Sequence, residues 1–163
     1  MNRHFEIFKL TITNPLKFRY FLFRKLPSAF FAGLRIQYLA EDKAVIIVSH
    51  KWFNQNPFQS MYFAVQSMAA EMSTGMLAFG QIYQRNPSVS MLVVGMEATF
   101  HKKAIGKIAF TCLDGHAIAN AVETAINTGN GQTIRCYSVG MNEANEMVSE
   151  CWFTWSFKPK TIK

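Results

Sequence analysis

Residues 57–80 read PFQSMYFAVQSMAAEMSTGMLAFG, and Glu71 is the only formally charged side chain between Lys51 and Arg85. The run predicts one long, mostly apolar helix, with Asn56 as its N-cap and Pro57 at its first position. Carboxylates are seldom buried without a partner, because loss of water disfavours the charged form. Helical spacing sets Ser67 and Met68 one turn before Glu71 and Thr74 and Gly75 one turn after it. The acid then faces small, weakly polar neighbours, where a substrate can approach and where its pKa tends to rise. The competing reading is a carboxylate hydrogen-bonded to a neighbouring Ser or backbone group at a dimer interface.

The segments around this helix read as strands. Residues 34–50 form a hairpin, LRIQYL then AVIIVSH across the Glu41-Asp42-Lys43 turn. Residues 90–100, 107–113, 133–139 and 147–157 supply four more strands, and residues 116–128 a short helix with Ile118, Val122 and Ile126 on one face. Antiparallel strands with a single long apolar helix require that helix to lie against one face of the sheet, an α+β architecture. Residues 1–28 form a basic, aromatic helical segment, broken at Asn14-Pro15 and ended by Pro27, and residues 29–163 form the main body of what is one domain overall.

Composition narrows the function classes. Of the net charge of +7, residues 1–25 carry six cations (Arg3, Lys9, Lys17, Arg19, Arg24, Lys25) against Glu6. The C-terminus carries Lys158, Lys160 and Lys163, so the body between is near neutral. The segment LKFRYFLFRK at 16–25 has two readings: a peripheral helix packing its Phe face inward with cations outward, or a weak contact with an anionic membrane. No stretch is long and apolar enough for a membrane span, and the first residues lack the order of a secretion signal, so cytoplasm is expected. Cys112, Cys136 and Cys151 are odd in number and without a CxxC, which predicts buried free thiols. The four histidines show no metal spacing, no phosphate-cradling glycine loop and no GxSxG elbow is present, and the cations do not interleave with strand aromatics as nucleic-acid binding would require.

The order of elements, with the run Asn56 to Gly75, resembles the hotdog fold of acyl-CoA thioesterases and dehydratases. In the phenylacetyl-CoA thioesterase-like branch an Asn precedes the helix, a His-Gly-Gly marks its start, and an acid follows the Asn by fifteen residues. Asn56 and Glu71 stand at that separation, with Tyr62-Phe63-Ala64 in place of His-Gly-Gly. Gly75 and the turn from Phe100 to Gly106 also resemble the branch. NPFQSMYFAVQSMAAEMSTG (56–75) and GMEATFHKKAIGKIAFTC (95–112) look closer still to a hotdog domain group without known function, over residues 15 to 157.

The resemblance implies hydrolysis or binding of an acyl thioester, presented by coenzyme A or a carrier protein, with no cofactor beyond the coenzyme A of the substrate. It implies Glu71 as general base or nucleophile and Asn56 as the group that orients water or the thioester carbonyl. Backbone N–H groups near Tyr62 and Phe63 would hold the oxyanion, and Lys102 and Lys103 the coenzyme A phosphates. It also implies a homodimer or tetramer with sites at the interface, so that Asn56 and Glu71 can come from different protomers. Plainer readings stand beside these. They make Asn56 a helix cap, Tyr62 a pocket wall, His101-Lys102-Lys103 a solvated turn, and Met61, Met68, Met72 and Met76 packing first and acyl pocket second. At the level of the whole protein the alternatives are a non-catalytic fatty-acyl or lipid-binding module and a structural dimer.

Overall fold

A computed structural model describes residues 2–160. Helices α1 (Phe5–Ile12), α2 (Pro15–Lys25) and α3 (Pro27–Ala32) precede a hairpin of β1 (Arg35–Leu39) and β2 (Ala44–Ser49). A single 3-10 turn at Trp52–Asn54 leads to the long helix α4 (Phe63–Ile82), then β3 (Val89–Phe100) and β4 (Lys107–Cys112). Helix α5 (Gly115–Thr128) and strands β5 (Gln132–Met141) and β6 (Met147–Pro159) complete the chain. The six strands form one sheet in the order β1-β2-β4-β5-β6-β3, antiparallel throughout, with β1 and β3 as its edges.

The expected sheet wrapped on a long helix is therefore present, with α4 on the inner face. The inner-facing residues of β6 are Cys151, Phe153, Trp155 and Phe157, all buried, while Glu150, Trp152, Thr154 and Ser156 alternate outward. Two hydroxyls fix α4 to this face. Ser73 and Ser138 share a hydrogen bond of 2.8 Å, and the Trp155 indole N–H donates to Thr74 Oγ1 at 2.8 Å.

Helix α4 is buried on nearly every side because the N-terminal helices cover what the sheet leaves open. Phe5, Phe8, Phe18 and Leu22 belong to the same hydrophobic cluster as Leu77 and Phe157. Gly80 permits that approach: a Cβ there would lie 2.4 Å from Phe5 Cε2. Asn2 ties the start of the chain to the end of α4, donating from Nδ2 to the Gly80 and Tyr83 carbonyls at 2.9 and 2.7 Å.

Two boundaries differ from expectation. The long helix begins at Phe63, with Tyr62 in the cap position, and not at Pro57. Asn56 instead closes an Asx turn: its Oδ1 accepts from the N–H groups of Phe58 (2.9 Å) and Ser60 (3.3 Å), and Gln59 adopts a left-handed φ of 58° that no helix tolerates. Pro27 does not only end the basic segment; it occupies the first turn of α3, which runs across residue 28. The break at Asn14-Pro15 is as expected, with Asn14 Oδ1 capping α2 through the N–H groups of Leu16 and Lys17.

Candidate active site

Glu71 lies in the middle of α4, half-buried, on a cavity of about 270 Å³ lined also by Phe21, Leu26, Met72, Gly75, Met76, Phe79 and Met91. The walls are aromatic rings, methionines and leucine. No hydrogen-bond or ionic partner meets the carboxylate among the described residues, and loss of water alone raises its pKa from the ordinary 4.5 to about 7. The carboxylate folds back over Gly75, whose ideal Cβ would sit 3.1 Å from Glu71 Oε1 and 3.3 Å from the Trp155 ring. A side chain at 75 would therefore compete with the acid for space. The result is a carboxyl group in an apolar cavity, half-ionised near neutrality, as a general base requires.

The other expected site residues divide. Asn56, Tyr62, Phe63, Lys102 and Lys103 line a second, wider cavity of about 500 Å³ at the start of α4, together with Gln66 and Phe100. Phe63 lies between Tyr62 and Phe100, with ring centroids 4.8 and 6.1 Å away. The N–H groups of Val65 and Gln66 return to the Tyr62 carbonyl, whereas those of Phe63 and Ala64 have no acceptor among the described residues. These are the free donors at the positive end of the helix. Tyr62 is not among them, because its N–H donates to the Asn54 carbonyl at 2.8 Å.

Lys102 is held by Glu146 at 2.6 Å, and His101 by Glu150 at 2.8 Å. Lys103 donates to the Phe58 carbonyl at 3.2 Å and has no acidic partner among the described residues, which makes it the better placed cation. From Phe63 to Glu71 is eight residues, about 12 Å along the helix axis. Within one chain the acid and the helix-start donors therefore belong to different cavities.

Ser67 and Thr74 are buried and line neither cavity. Ser67 is buried, its Oγ without a hydrogen-bond partner among the described residues. Thr74 is fully buried, accepting from Trp155 and donating to the Glu71 carbonyl at 2.9 Å. Replacing Thr74 with Val strands the Trp155 N–H, and a loss of about 1–2 kcal/mol of stability is expected in urea titrations.

Gln66 is a candidate site residue that sequence reasoning missed. It is buried, donates to the Met61 carbonyl at 3.3 Å, and lines the wider cavity with its Oε1 unsatisfied. Its signal was available, since Gln66 is a buried amide inside an apolar run. The three cysteines are buried and free as expected; burial raises all three, Cys112 to about 12 and Cys151 to about 11, so none is a thiolate nucleophile near neutral pH.

The architecture has close counterparts among solved structures. A probable thioesterase from Pseudomonas aeruginosa, PA5026, superposes with a TM-score of 0.74 at 20% identity, covering 92% of this chain and 99% of that one. A protein from Chlorobaculum tepidum of unknown function gives 0.75 at 17%, covering 93% and 99%. The Haemophilus influenzae thioesterase HI1161 gives 0.64 at 14%, covering 90% and 91%. The molecule has the hotdog fold that these proteins share. No curated protein matches the chain by sequence. Residues 16–156 match the model of DUF4442, a domain of unknown function, and the chain belongs to that family.

Proposed function

We propose that the protein is an acyl thioester hydrolase that works as a homodimer, with each site assembled from the Glu71 cavity of one protomer and the helix-start cavity of the other. The observation that carries this reading is the position of both cavities against the edge strand β3. Met91, near its start, lines the Glu71 cavity, and Phe100, at its end, lines the cavity of Asn56, Phe63 and Lys103.

Strand β3 is a free edge of twelve residues, and Leu92, Val94 and Met96 on it are at least half exposed. An apolar edge of that length is a template for pairing with a second chain. Antiparallel pairing of two copies about a two-fold axis near Gly95 and Met96 sets residue 91 of one strand beside residue 100 of the other. The two kinds of cavity then adjoin across the interface.

In that arrangement the thioester carbonyl oxygen lies against the Phe63 and Ala64 N–H groups, and the acyl chain enters the cavity lined by Met72, Met76, Met91 and Phe79. Glu71 takes a proton from water as the water oxygen attacks the carbonyl carbon. The tetrahedral oxyanion then collapses, the C–S bond breaks, and the proton returns from Glu71 to the leaving sulfur. Lys103 faces the phosphates of the carrier. The neighbours PA5026 and HI1161, described as thioesterases, support the substrate class.

Complementation tests this reading. Glu71→Gln and Asn56→Ala homodimers are each expected to be inactive. Mixed and reassembled, they form heterodimers with one intact site, and a random mixture recovers roughly a quarter of wild-type thiol release. No recovery, with heterodimers verified by mass, would place the whole site within one chain.

A further inference from the structure

Helix α2 has two apolar faces. Phe18, Phe21 and Leu22 turn inward to the core, which accounts for the peripheral-helix reading of this segment. Leu16, Tyr20 and Phe23, spaced as one helical stripe, turn outward and are all more than half exposed, Leu16 at 83%. On the helical wheel Arg19 flanks the stripe on one side and Lys17 and Arg24 on the other.

The stripe continues beyond the helix. Phe23 meets Phe30 at a ring separation of 5.3 Å, Phe30 meets Phe31 at 5.3 Å, and Phe31 meets Phe53 at 5.9 Å. Phe31 and Phe53 are also more than half exposed, and Trp52 beside them is 83% exposed. Cations thread this ridge: the Arg19 guanidinium lies 4.1 Å over the Phe30 ring and Lys51 Nζ 6.0 Å from that of Phe53. Lys17, Arg19, Arg24, Lys25 and Lys51 have no acidic partner among the described residues; the ion pair within the N-terminal helices is Lys9 with Glu6. Two stretches distant in sequence, 16–31 and 51–53, thus build one aromatic and cationic surface.

We propose that this ridge docks the protein on the surface of an anionic bilayer. Trp, Tyr, Phe and Leu side chains suit the boundary between headgroups and acyl chains, and the Lys and Arg around them suit lipid phosphates. A second copy fits less well, because it would bring the same unpaired cations face to face. No helix among the described residues is long and apolar enough to cross a membrane, so the contact is peripheral. The inner side of the same segment, through Phe21 and Leu26, walls the Glu71 cavity. If the hydrolase reading holds, docking brings that cavity to the source of long acyl chains; the docking itself does not depend on turnover.

Co-sedimentation of the full chain with vesicles tests the proposal. The protein is expected to pellet with phosphatidylcholine vesicles containing phosphatidylglycerol and to stay in solution with phosphatidylcholine alone. Leu16→Ser with Phe23→Ser, both exposed, should weaken binding at least about tenfold. Lys17→Ala and Arg24→Ala should each weaken it about fivefold, and roughly 1 M salt should release the protein. Glu71→Gln should bind as wild type does, which separates this result from the outcome of any activity assay. Absence of pelleting, equal pelleting with neutral vesicles, retention on single-stranded RNA in place of vesicles, or self-association relieved by the Leu16/Phe23 variant would each overturn the proposal.

Discussion

Glu71→Gln is expected to lower thioester turnover by at least about a hundredfold while leaving the protein folded. The substitution keeps the shape of the side chain and removes its capacity to hold a proton as a base. The surrounding cavity offers no substitute. Its other lining residues, Phe21, Leu26, Met72, Gly75, Met76, Phe79 and Met91, carry no titratable group, and the buried cysteines are held protonated.

The pH profile separates a chemical role from a structural one. With the carboxyl at about 7, wild-type kcat/KM should rise through the neutral range and level off above it, and the residual activity of Glu71→Gln should lack that inflection. Free-thiol release across short, long and aromatic acyl-CoAs, read between pH 5 and 9, checks this. Equal turnover by both proteins would move the chemistry away from Glu71. Absence of turnover in either would leave the cavity as a binding site for acyl chains.

Much of the fold was legible in the chain because each element announces itself locally. The β-branched run of β2 and the alternation of β6 carry the period of strands, and the uncharged run around Glu71 requires cover on most sides, which the sheet and the N-terminal helices together supply. Glu71 was legible for the same reason, as an isolated charge in apolar sequence.

The start of α4 was not, because Asn56 and Pro57 carry the ordinary signals of a helix start and spend them on a turn. The Asn56 carboxamide caps the backbone of residues 58 and 60, and the left-handed Gln59 diverts the chain before Phe63. Sequence separation likewise hid the division of the site. Fifteen residues between Asn56 and Glu71 contain a loop followed by two helical turns, so the two side chains face separate cavities. The fate of Thr74 depended on Trp155, a contact across 81 positions. The outward stripe of α2 was partly legible as aromatic residues mixed with cations, but its extension through Phe31 to Phe53 required the tertiary fold.

The same carboxyl that we propose as the base should weaken the protein at and above neutral pH. In the unfolded chain Glu71 ionises near its ordinary value of 4.5, and in the folded protein near 7. A folded-state pKa raised in this way contributes stability that is complete below about pH 4.5 and is lost as pH rises through 7, because the unfolded state releases its proton first. The difference corresponds to at most about 3 kcal/mol, reduced by whatever solvent reaches the half-buried group.

Glu71→Gln removes this dependence. The variant is expected to match wild type at pH 4 and to exceed it at pH 8, with a melting temperature higher by up to roughly 6–12 °C for a chain of this size. Melting both proteins at one concentration across that range, alongside an NMR titration of the carboxyl carbon, checks the sign and the midpoint. A stability gain that does not grow with pH would sink the assignment of a raised pKa. A midpoint near 4.5 would mean that water or a cation reaches Glu71 and removes the desolvation that suits it to act as a base near neutral pH. Agreement between this midpoint and that of the pH–rate profile would show that one ionisation governs both, with the stability cost of the buried acid arising from the same desolvation that suits it to accept a proton.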